Sequence, residues 1–297
     1  MKIVILGSNG QLGQKLKNDL NGKFNLFTFN KKELDITNLN KVSNVIKSIS
    51  PDIIINASAY TAVDKAEDEK KLAFEINEMA VRNIAKISKN LDCFLIHYST
   101  DYVFDGKKKS PYAENDTPNP INVYGNSKFK GEKAISEING KYYILRLSWV
   151  IGENSSNFVN KILELSLEKS KLKVVNDQFG VPTSTLLISK VTENLIETIY
   201  KKKPWPYGIY HLAPKGVTNW YEIAKIFLKF AKNQGLLLKT DPDKIIAISS
   251  DEFPTKAARP KNSIFNTEKI EKEIKFDLPH WSDDFINISK NILNNYI

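Results

Sequence analysis

Three glycines spaced three residues apart, directly behind a β-branched run, constrain the fold of this chain more than any other feature. Residues 2–13 read KIVILGSNGQLG, and a helical pattern begins at Gln11. Glycine is required where φ is positive or where another group approaches the backbone closely. The first turn of a helix that follows such a loop favours an anion such as a pyrophosphate. This context predicts a dinucleotide site at Gly7, Gly10 and Gly13, although a plain tight turn would also explain a GxxGxxG spacing.

The first half of the chain alternates short β-branched runs with longer amphipathic segments, as in βαβ units that build a parallel sheet. The predicted strands are residues 2–6, 25–29, 52–58, 93–100 and 142–150. One helix is predicted between the third and fourth strands, with an apolar face formed by Leu72, Ile76, Met79, Ala80, Ile84 and Ile87. The rhythm becomes irregular after about Trp149, which predicts a smaller, separate lobe. Asn219 and Glu222 have capping-box spacing at the start of a helix in that lobe.

Composition argues against several classes of partner. The net charge is +9, but only three of the 43 basic residues are arginines, namely Arg82, Arg146 and Arg259. Nucleic-acid readers favour arginine forks, so the scattered lysines predict a solvated surface and no nucleic-acid partner. No apolar run approaches the ~18 to 20 residues that span a bilayer, and the N-terminal run is too short for a signal peptide. We therefore expect a cytoplasmic protein that does not bind membranes.

The residues after the second strand bear on cofactor choice. A site that selects NAD usually has a carboxylate there, about 20 residues after the glycine loop, to bind the ribose 2′-hydroxyl. This chain has Asn30, Lys31 and Lys32 instead. A lysine at this position favours a 2′-phosphate, which predicts that NADPH binds at least as well as NADH. The alternative is that both lysines simply point into water.

Three side chains suggest carbonyl chemistry. Tyr124 and Lys128 are four residues apart in a predicted helix and therefore lie on one face. A nearby ammonium lowers the pKa of a phenol and prepares it for proton transfer. Thr100 ends the fourth strand, where side chains of a doubly wound sheet face the ligand crevice, and can donate a hydrogen bond to a carbonyl oxygen.

These residues and the blocks around them resemble the dTDP-4-dehydrorhamnose reductase family, which belongs to the extended short-chain dehydrogenases/reductases. From residue 3 to about residue 266 the blocks follow the family's order, and they read NASAYTAVDKAE, STDYVFDG, NVYGNSKFKGE, RLSWVIG, DQFGVPT, GIYHL and ARPKNS. The resemblance implies an α/β fold with a Rossmann-type doubly wound parallel sheet and a smaller C-terminal α/β substrate lobe. The expected NAD(P)-binding domain is 1–150 plus about 181–213, and the expected substrate lobe is about 151–180 plus 214–297.

The same resemblance implies NAD(P)H-dependent reduction of the 4-keto group of dTDP-6-deoxy-L-lyxo-4-hexulose to give dTDP-L-rhamnose. Tyr124 would protonate the alkoxide, Lys128 would lower the Tyr124 pKa and hold the nicotinamide ribose, and Thr100 would bond the keto oxygen. The further cofactor positions that it implies are Gln11, Leu12, Asp35, Ile36, Ala59, Tyr60, Thr61 and Tyr98. The further substrate positions are Val63, Asp101, Trp149 and Arg259, and DQFGVPT would line the diphosphate with Arg259.

One departure from the family concerns metal binding. Some members hold Mg²⁺ at a dimer interface through glutamates on the first helix and on the helix after VPT. The matching positions here are Lys15 and Leu186, so we expect no metal, doubt that particular dimer, and leave monomer and homodimer open. The histidines His97, His211 and His280 are too scattered to suggest a metal site and are predicted to be structural.

Two alternative functions remain open. Another sugar-nucleotide epimerase or dehydratase of the superfamily would share the glycine loop and the Tyr–Lys pair, but such dehydratases resemble one another in having Asp-Glu after the threonine, and here Tyr102 follows Asp101. A non-catalytic, nucleotide-binding regulatory subunit would keep the fold without turnover. Loss of the Thr100, Tyr124 or Lys128 side chain would have favoured that function, and all three are present.

Overall fold

The computed structural model describes residues 1–138, 140–153 and 157–296. The strands are β1 (Lys2–Leu6), β2 (Asn25–Phe29), β3 (Ile53–Asn56), β4 (Phe94–Thr100), β5 (Tyr142–Leu147), β6 (Val150–Ile151), β7 (Lys173–Val175), β8 (Phe179–Gly180), β9 (Thr183–Ser184), β10 (Gly208–Leu212), β11 (Thr218–Asn219) and β12 (Ile246–Ile248). The α-helices are α1 (Gln11–Leu20), α2 (Leu39–Ile49), α3 (Val63–Ala66), α4 (Lys70–Phe74), α5 (Ala80–Asn90), α6 (Val123–Ile138), α7 (Phe158–Glu168), α8 (Thr185–Tyr200), α9 (Trp220–Asn233), α10 (Glu268–Glu271) and α11 (Trp281–Leu293). A π-helical turn covers Glu75–Met79, and 3₁₀ turns cover Asp101–Val103, Pro242–Lys244 and Ser250–Glu252.

A six-stranded parallel sheet forms the centre of the molecule, in the order β2-β1-β3-β4-β5-β10. Alternate strand residues pack against α1 and α8 on one face and against α2, α5 and α6 on the other. This arrangement confirms the predicted α/β fold with a doubly wound parallel sheet. The strand order reverses between β1 and β3, and open sheets bind ligands beyond the strand carboxyl ends at such a point.

The fifth predicted strand is wrong at its end. It was expected over residues 142–150, but β5 stops at Leu147 and β6 pairs instead with β9 outside the main sheet. The cause is Trp149, whose φ of 44° lies in the left-handed region and turns the chain out of the sheet. The sequence still looks like a strand there because the run remains apolar and β-branched.

The predicted single helix between β3 and β4 is interrupted by the π-helical turn. Such a turn adds a residue and rotates the following positions around the helix axis. Met79 was therefore wrongly assigned to the buried face, because 50% of its surface is exposed. Asn77 is fully buried in the same turn.

The C-terminal part of the chain has a hydrophobic core of its own. Side chains from α7, α9 and α11 form this core, and Val103 and Phe104 from the first 150 residues join it. Asn219 caps α9 as its spacing predicted, with its side-chain oxygen accepting the Glu222 amide at 2.9 Å. The boundaries of the two domains remain a prediction. No helix in the described ranges is long and apolar enough to cross a bilayer.

Candidate active site

The carboxyl ends of the central strands open onto a crevice with two adjoining compartments. The glycine-loop compartment has a volume of about 390 Å³ and extends toward the segment after β2. The Tyr124 compartment has a volume of about 430 Å³ and lies among the end of β4, α6 and the start of α9. Both are lined by Gly10, Ala57, Ser58, Ala59 and Thr61. A single ligand that fills both compartments must therefore be elongated, as a dinucleotide is.

The three glycines of the loop are constrained differently. A Cβ on Gly7, whose φ is +84°, would lie 2.7 Å from the Ser58 Oγ, and a Cβ on Gly13 would lie 2.1 Å from the Gly7 carbonyl oxygen. The nearest atom to a Cβ on Gly10 would be 3.4 Å away, which is an ordinary contact. Gly7 and Gly13 are therefore required by the protein's own packing. Gly10 lines both compartments, and the protein's own packing does not require glycine there.

The start of α1 faces the Tyr124 compartment. Gln11 and Leu12 occupy the first helical turn and line this compartment. Gly10, the residue before the helix, has no side chain that could cap it. The positive end of the helix dipole thus points into the crevice next to the loop, which suits a pyrophosphate.

The far end of the glycine-loop compartment is lined by Lys31, Asp35 and Ile36. Backbone and side-chain hydrogen bonds from Thr37, with the Lys31 charge, hold the pKa of Asp35 below its usual value. Lys32 is exposed and is not among the residues that line this compartment. A cation and an ionised carboxylate therefore line the same end of this compartment.

The loop after β3 is held by a residue that the sequence did not single out. Tyr60 donates its amide to the Asn77 Oδ1 at 2.9 Å and accepts from the Asn77 Nδ2 at 3.0 Å. The Asn77 Nδ2 also donates to the Ser127 hydroxyl of α6 at 2.9 Å. Asn77 thus ties the predicted cofactor residues of this loop to the helix that carries Tyr124. The only sequence signal was an asparagine within an otherwise apolar helical face.

Thr100 and Tyr124 meet in the second compartment. Both are buried and both line it, and the Thr100 hydroxyl donates to the Asp101 Oδ1 at 3.0 Å. Burial raises the pKa of Tyr124 to about 12, a hydrogen bond with Thr100 opposes this rise, and the Asp101 charge adds to it. The lowered Tyr124 pKa expected from Lys128 is therefore not found, because burial raises the pKa and Lys128 is not among the groups that shift it. In this state Tyr124 is a neutral phenol that can donate a proton.

Lys128 lies one turn from Tyr124 and is only 2% exposed. Its Nζ donates to the Tyr98 carbonyl oxygen at 2.6 Å and lies 3.4 Å from the Nε2 of His97. Burial lowers the pKa of Lys128 to about 8, although Glu132 on the next turn opposes this change. His97 was predicted to be structural, and the structure brings it into direct contact with the candidate site. The Tyr98 ring lines the compartment and shares a hydrogen bond with Thr192 at 2.8 Å.

Asp101 is buried at the wall of the Tyr124 compartment. Burial raises the pKa of its carboxyl to about 6, although hydrogen bonding with Ser263 and then with Thr100 opposes this effect. Within the described ranges its Oδ2 is buried without a hydrogen-bond partner. Buried polar atoms normally have partners, so this oxygen is suited to a polar group of a bound ligand.

An aromatic wall closes the same compartment. Trp149 and Trp220 both line it, and their rings stack with centroids 3.9 Å apart. On Gly180 a Cβ would lie 2.8 Å from the Trp149 ring, so only glycine leaves room there. The positive φ of Trp149 is held by this packing. The apolar wall suits the deoxy side of a sugar, and Trp220 was not predicted from the sequence.

The last two substrate positions differ in placement. Val63 lines the Tyr124 compartment. Arg259 lies outside it, because its guanidinium forms a paired contact with Asp64 on α3 at 2.7 and 3.1 Å. Two roles were considered for Arg259, a surface salt bridge and binding of the diphosphate. The structure shows the salt bridge. Lys256 and Asp68 form a second ion pair between the same two segments.

The two positions at which no metal ligand was expected, Lys15 and Leu186, have other contacts in the structure. Lys15 pairs with Asp19 at 2.8 Å, and Leu186 packs on the C-terminal core. In the described parts of the chain, no three His, Cys, Asp or Glu side chains cluster in a way that could hold a metal ion.

Comparisons with known proteins agree with this geometry. The family model described as RmlD substrate binding domain matches residues 1–293. The dTDP-4-dehydrorhamnose reductase of Escherichia coli K12 is 40% identical over 285 residues, which cover 95% of this chain and 94% of that protein. A crystal structure of the Bacillus anthracis dTDP-4-dehydrorhamnose reductase in complex with NADP matches with a TM-score of 0.89 and 38% identity, over 97% of this chain and 98% of that one. One from Clostridium acetobutylicum matches with a TM-score of 0.89 and 33% identity over 100% of both chains.

Proposed function

Because this chain belongs to the dTDP-4-dehydrorhamnose reductase family, we propose that it reduces the 4-keto group of dTDP-6-deoxy-L-lyxo-4-hexulose with NADPH to give dTDP-L-rhamnose. One observation carries the proposal. Thr100, Tyr124 and Lys128 line the same compartment as the start of α1 and the Trp149–Trp220 wall. A carbonyl carbon, a proton donor and a dinucleotide can therefore meet at one place.

The elongated crevice accounts for cofactor binding. The glycine loop and the first turn of α1 would hold the pyrophosphate, and Lys31, Asp35 and Ile36 would surround the adenosine. Lys31 provides a cation for a 2′-phosphate, which supports the use of NADPH. NADH remains possible because Asp35 lines the same compartment.

The side chains of the Tyr124 compartment suit carbonyl reduction. When bound, the reduced nicotinamide supplies a hydride to C4 of the sugar. Once its hydroxyl turns from the Asp101 Oδ1 toward the substrate, Thr100 donates a hydrogen bond to O4, which stabilises the developing alkoxide. Tyr124 then gives its phenolic proton to O4, so that the product carries a hydroxyl group. In its charged form, Lys128 stabilises the resulting phenolate.

The substrate positions have matching chemistry. The unpartnered Oδ2 of Asp101 is available for a sugar hydroxyl, and the Trp149–Trp220 wall contacts the apolar C6 side. Arg259 would reach the diphosphate only after it leaves Asp64. We therefore place Asp101, Trp149 and Val63 at the sugar, and Arg259 at the diphosphate once its contact with Asp64 is broken.

The test is a steady-state assay with dTDP-6-deoxy-L-lyxo-4-hexulose, with NADPH and NADH as alternative reductants and Tyr124→Phe as the matched variant. We expect NADPH to be at least as good as NADH in kcat/KM. We expect Tyr124→Phe to lower kcat by about 100-fold or more, because general acid catalysis typically contributes 10²–10⁴-fold. Dinucleotide binding without turnover would favour the regulatory-subunit alternative, and NADH tenfold better than NADPH would contradict the role of Lys31.

A further inference from the structure

A directional chain of hydrogen bonds runs from the backbone to Lys128. The Ser58 amide donates to the Asn56 Oδ1 at 3.1 Å, and the Asn56 Nδ2 lies 3.1 Å from the His97 Nδ1. The His97 Nε2 in turn lies 3.4 Å from the Lys128 Nζ. Asn56 ends β3 and pairs in register with His97 on β4, so the sheet itself aligns the two side chains. Asn56, His97 and Lys128 are each at most 2% exposed.

The backbone amide of Ser58 fixes the direction of this series of hydrogen bonds. An amide N–H can only donate, so the oxygen of Asn56 faces Ser58 and its NH₂ group faces His97. The reversed Asn56 orientation would place two donors against each other at 3.1 Å. The Nδ1 of His97 must therefore accept. In a neutral imidazole the proton then lies on Nε2, which points at Lys128.

His97 is held in the neutral form. Burial is the main cause that lowers the pKa of His97 well below its ordinary value, and a charge on Lys128, when present, lowers it further. A charged lysine has three donors and no acceptor, so an ammonium facing the Nε2–H would place two donors together. A neutral amine can accept from Nε2–H and still donate to the Tyr98 carbonyl oxygen at 2.6 Å.

We propose that His97 is a positioning residue whose Nε2–H favours the uncharged amine of Lys128 in the cofactor-free site. The proposal rests on the proposed function for its catalytic meaning, since it concerns the lysine assigned to the Tyr124 proton transfer. The His97 contact acts in the same direction as burial, which by itself lowers the pKa of Lys128 to about 8. Cofactor binding can then decide whether this lysine is charged.

The other groups around Lys128 do not reverse the preference for its uncharged amine. Tyr98 on β4 contributes a carbonyl oxygen, which either form of the lysine can bind. Glu132 on α6 favours the charged form, but Arg146 on β5 binds both of its carboxylate oxygens, at 3.0 and 2.7 Å. Burial acts in the same direction as His97. The remaining titratable neighbour on α6 is Tyr124, which is neutral.

The first test reads the His97 tautomer directly by NMR of protein labelled with ¹⁵N-histidine. The chain has three histidines, and His97→Gln identifies the His97 signals. We expect an unprotonated, imine-type Nδ1 and a protonated, pyrrole-type Nε2 across neutral pH. A protonated Nδ1, or an imidazolium, would overturn the proposal. This measurement needs no substrate, so it is independent of whether the chain turns over a sugar nucleotide.

The second test uses Asn56→Asp to reverse the direction of the hydrogen bonds that run from Asn56 through His97 to Lys128. The new carboxylate can accept from both Ser58 and the His97 Nδ1–H, which moves the ring proton to Nδ1 and leaves Nε2 to accept from a charged lysine. We expect the Lys128 titration, followed by the ¹³Cε shift that Lys128→Met removes, to move upward by about one pH unit, the usual scale for such contacts. The alkaline limb of the kcat/KM profile should move with it if the proposed function holds.

A double-mutant comparison separates two effects of Asn56→Asp on the Lys128 titration, the change of the His97 tautomer and the added negative charge. If Asn56→Asp acts through His97, its effect on the Lys128 titration disappears in the His97→Gln background. If the effect persists there at full size, charge alone explains it and the proposal is wrong. Should Asn56→Asp fail to fold, the tautomer measurement on the wild-type protein still decides the matter. Normal turnover together with the opposite His97 tautomer would contradict the role proposed for His97 but not the proposed reductase function.

Discussion

At the scale of single residues, the three glycines of the loop differ in whether the protein's own packing or a bound ligand would restrict them. Gly7 and Gly13 are enclosed by the protein itself, since a Cβ on either would collide with backbone or with Ser58. Gly10 has room for a methyl group and lines both compartments of the crevice. Substitutions at Gly10 and Gly13 should therefore have different consequences, although both belong to one sequence motif.

We predict that Gly13→Ala lowers the free energy of unfolding by about 1–3 kcal/mol, the usual cost of overpacking. Gly10→Ala should leave stability nearly unchanged and weaken NADPH binding about tenfold, which corresponds to about 1.4 kcal/mol. Thermal unfolding and titration of protein fluorescence with NADPH measure the two effects. Equal loss of stability in both variants, or normal NADPH binding by Gly10→Ala, would contradict this division.

The sequence predicts some residues of the site and misses others for a physical reason. The four-residue spacing of Tyr124 and Lys128 on one helix is local, so it could be found without the structure. The contact between His97 and Lys128 depends on strand register and on the helix that crosses β4. A histidine within an apolar strand gave no sign of which group its ring would contact.

At the scale of elements, the end of β5 shapes the substrate side of the crevice. The chain turns at Trp149, and the indole is held between Gly180 on β8 and Trp220 at the start of α9. Positive φ at a non-glycine residue is unfavourable by about 1–2 kcal/mol, and the stacked rings offset this strain. Three separate elements therefore fix one aromatic wall.

We predict that Gly180→Ala displaces the Trp149 ring, because the new methyl group would lie 2.8 Å from it. The KM for the sugar nucleotide should rise about tenfold, as misplacement of a binding group allows, whereas the affinity for NADPH should stay unchanged. Gly140→Ala is the matched control, since a Cβ there has no neighbour within 4 Å among the described atoms. Unchanged KM in Gly180→Ala, or equal effects in both variants, would show that the wall does not contact the sugar.

Element boundaries show where sequence patterns stop being informative. The main strands and the cap of α9 follow from local periodicity and capping chemistry. The π-helical turn at Glu75–Met79 and the early end of β5 do not, because each is stabilised by tertiary contacts. Asn77 bonds to Tyr60 and Ser127, and Trp149 stacks on Trp220.

At the scale of the whole molecule, the Tyr124 compartment lies between the carboxyl ends of the sheet strands and the start of α9. Arg259 and Asp64 join the C-terminal part of the chain to α3 across a separation of 195 residues, and Lys256 pairs with Asp68 beside them. The order of sequence blocks predicted the sheet and the crevice. It could not predict this connection, because a bidentate ion pair depends on how the C-terminal segment folds back over α3.

The most direct test of the central claim follows the hydride itself. The protein is supplied with dTDP-6-deoxy-L-lyxo-4-hexulose and NADPH that carries deuterium at the transferable C4 position, and the product is analysed by mass spectrometry and NMR. We predict one deuterium at C4 of dTDP-L-rhamnose for each NADPH oxidised. An isomerised or dehydrated sugar without net NADPH oxidation, or binding with no product, would contradict the assignment of this chain as a 4-keto-sugar reductase.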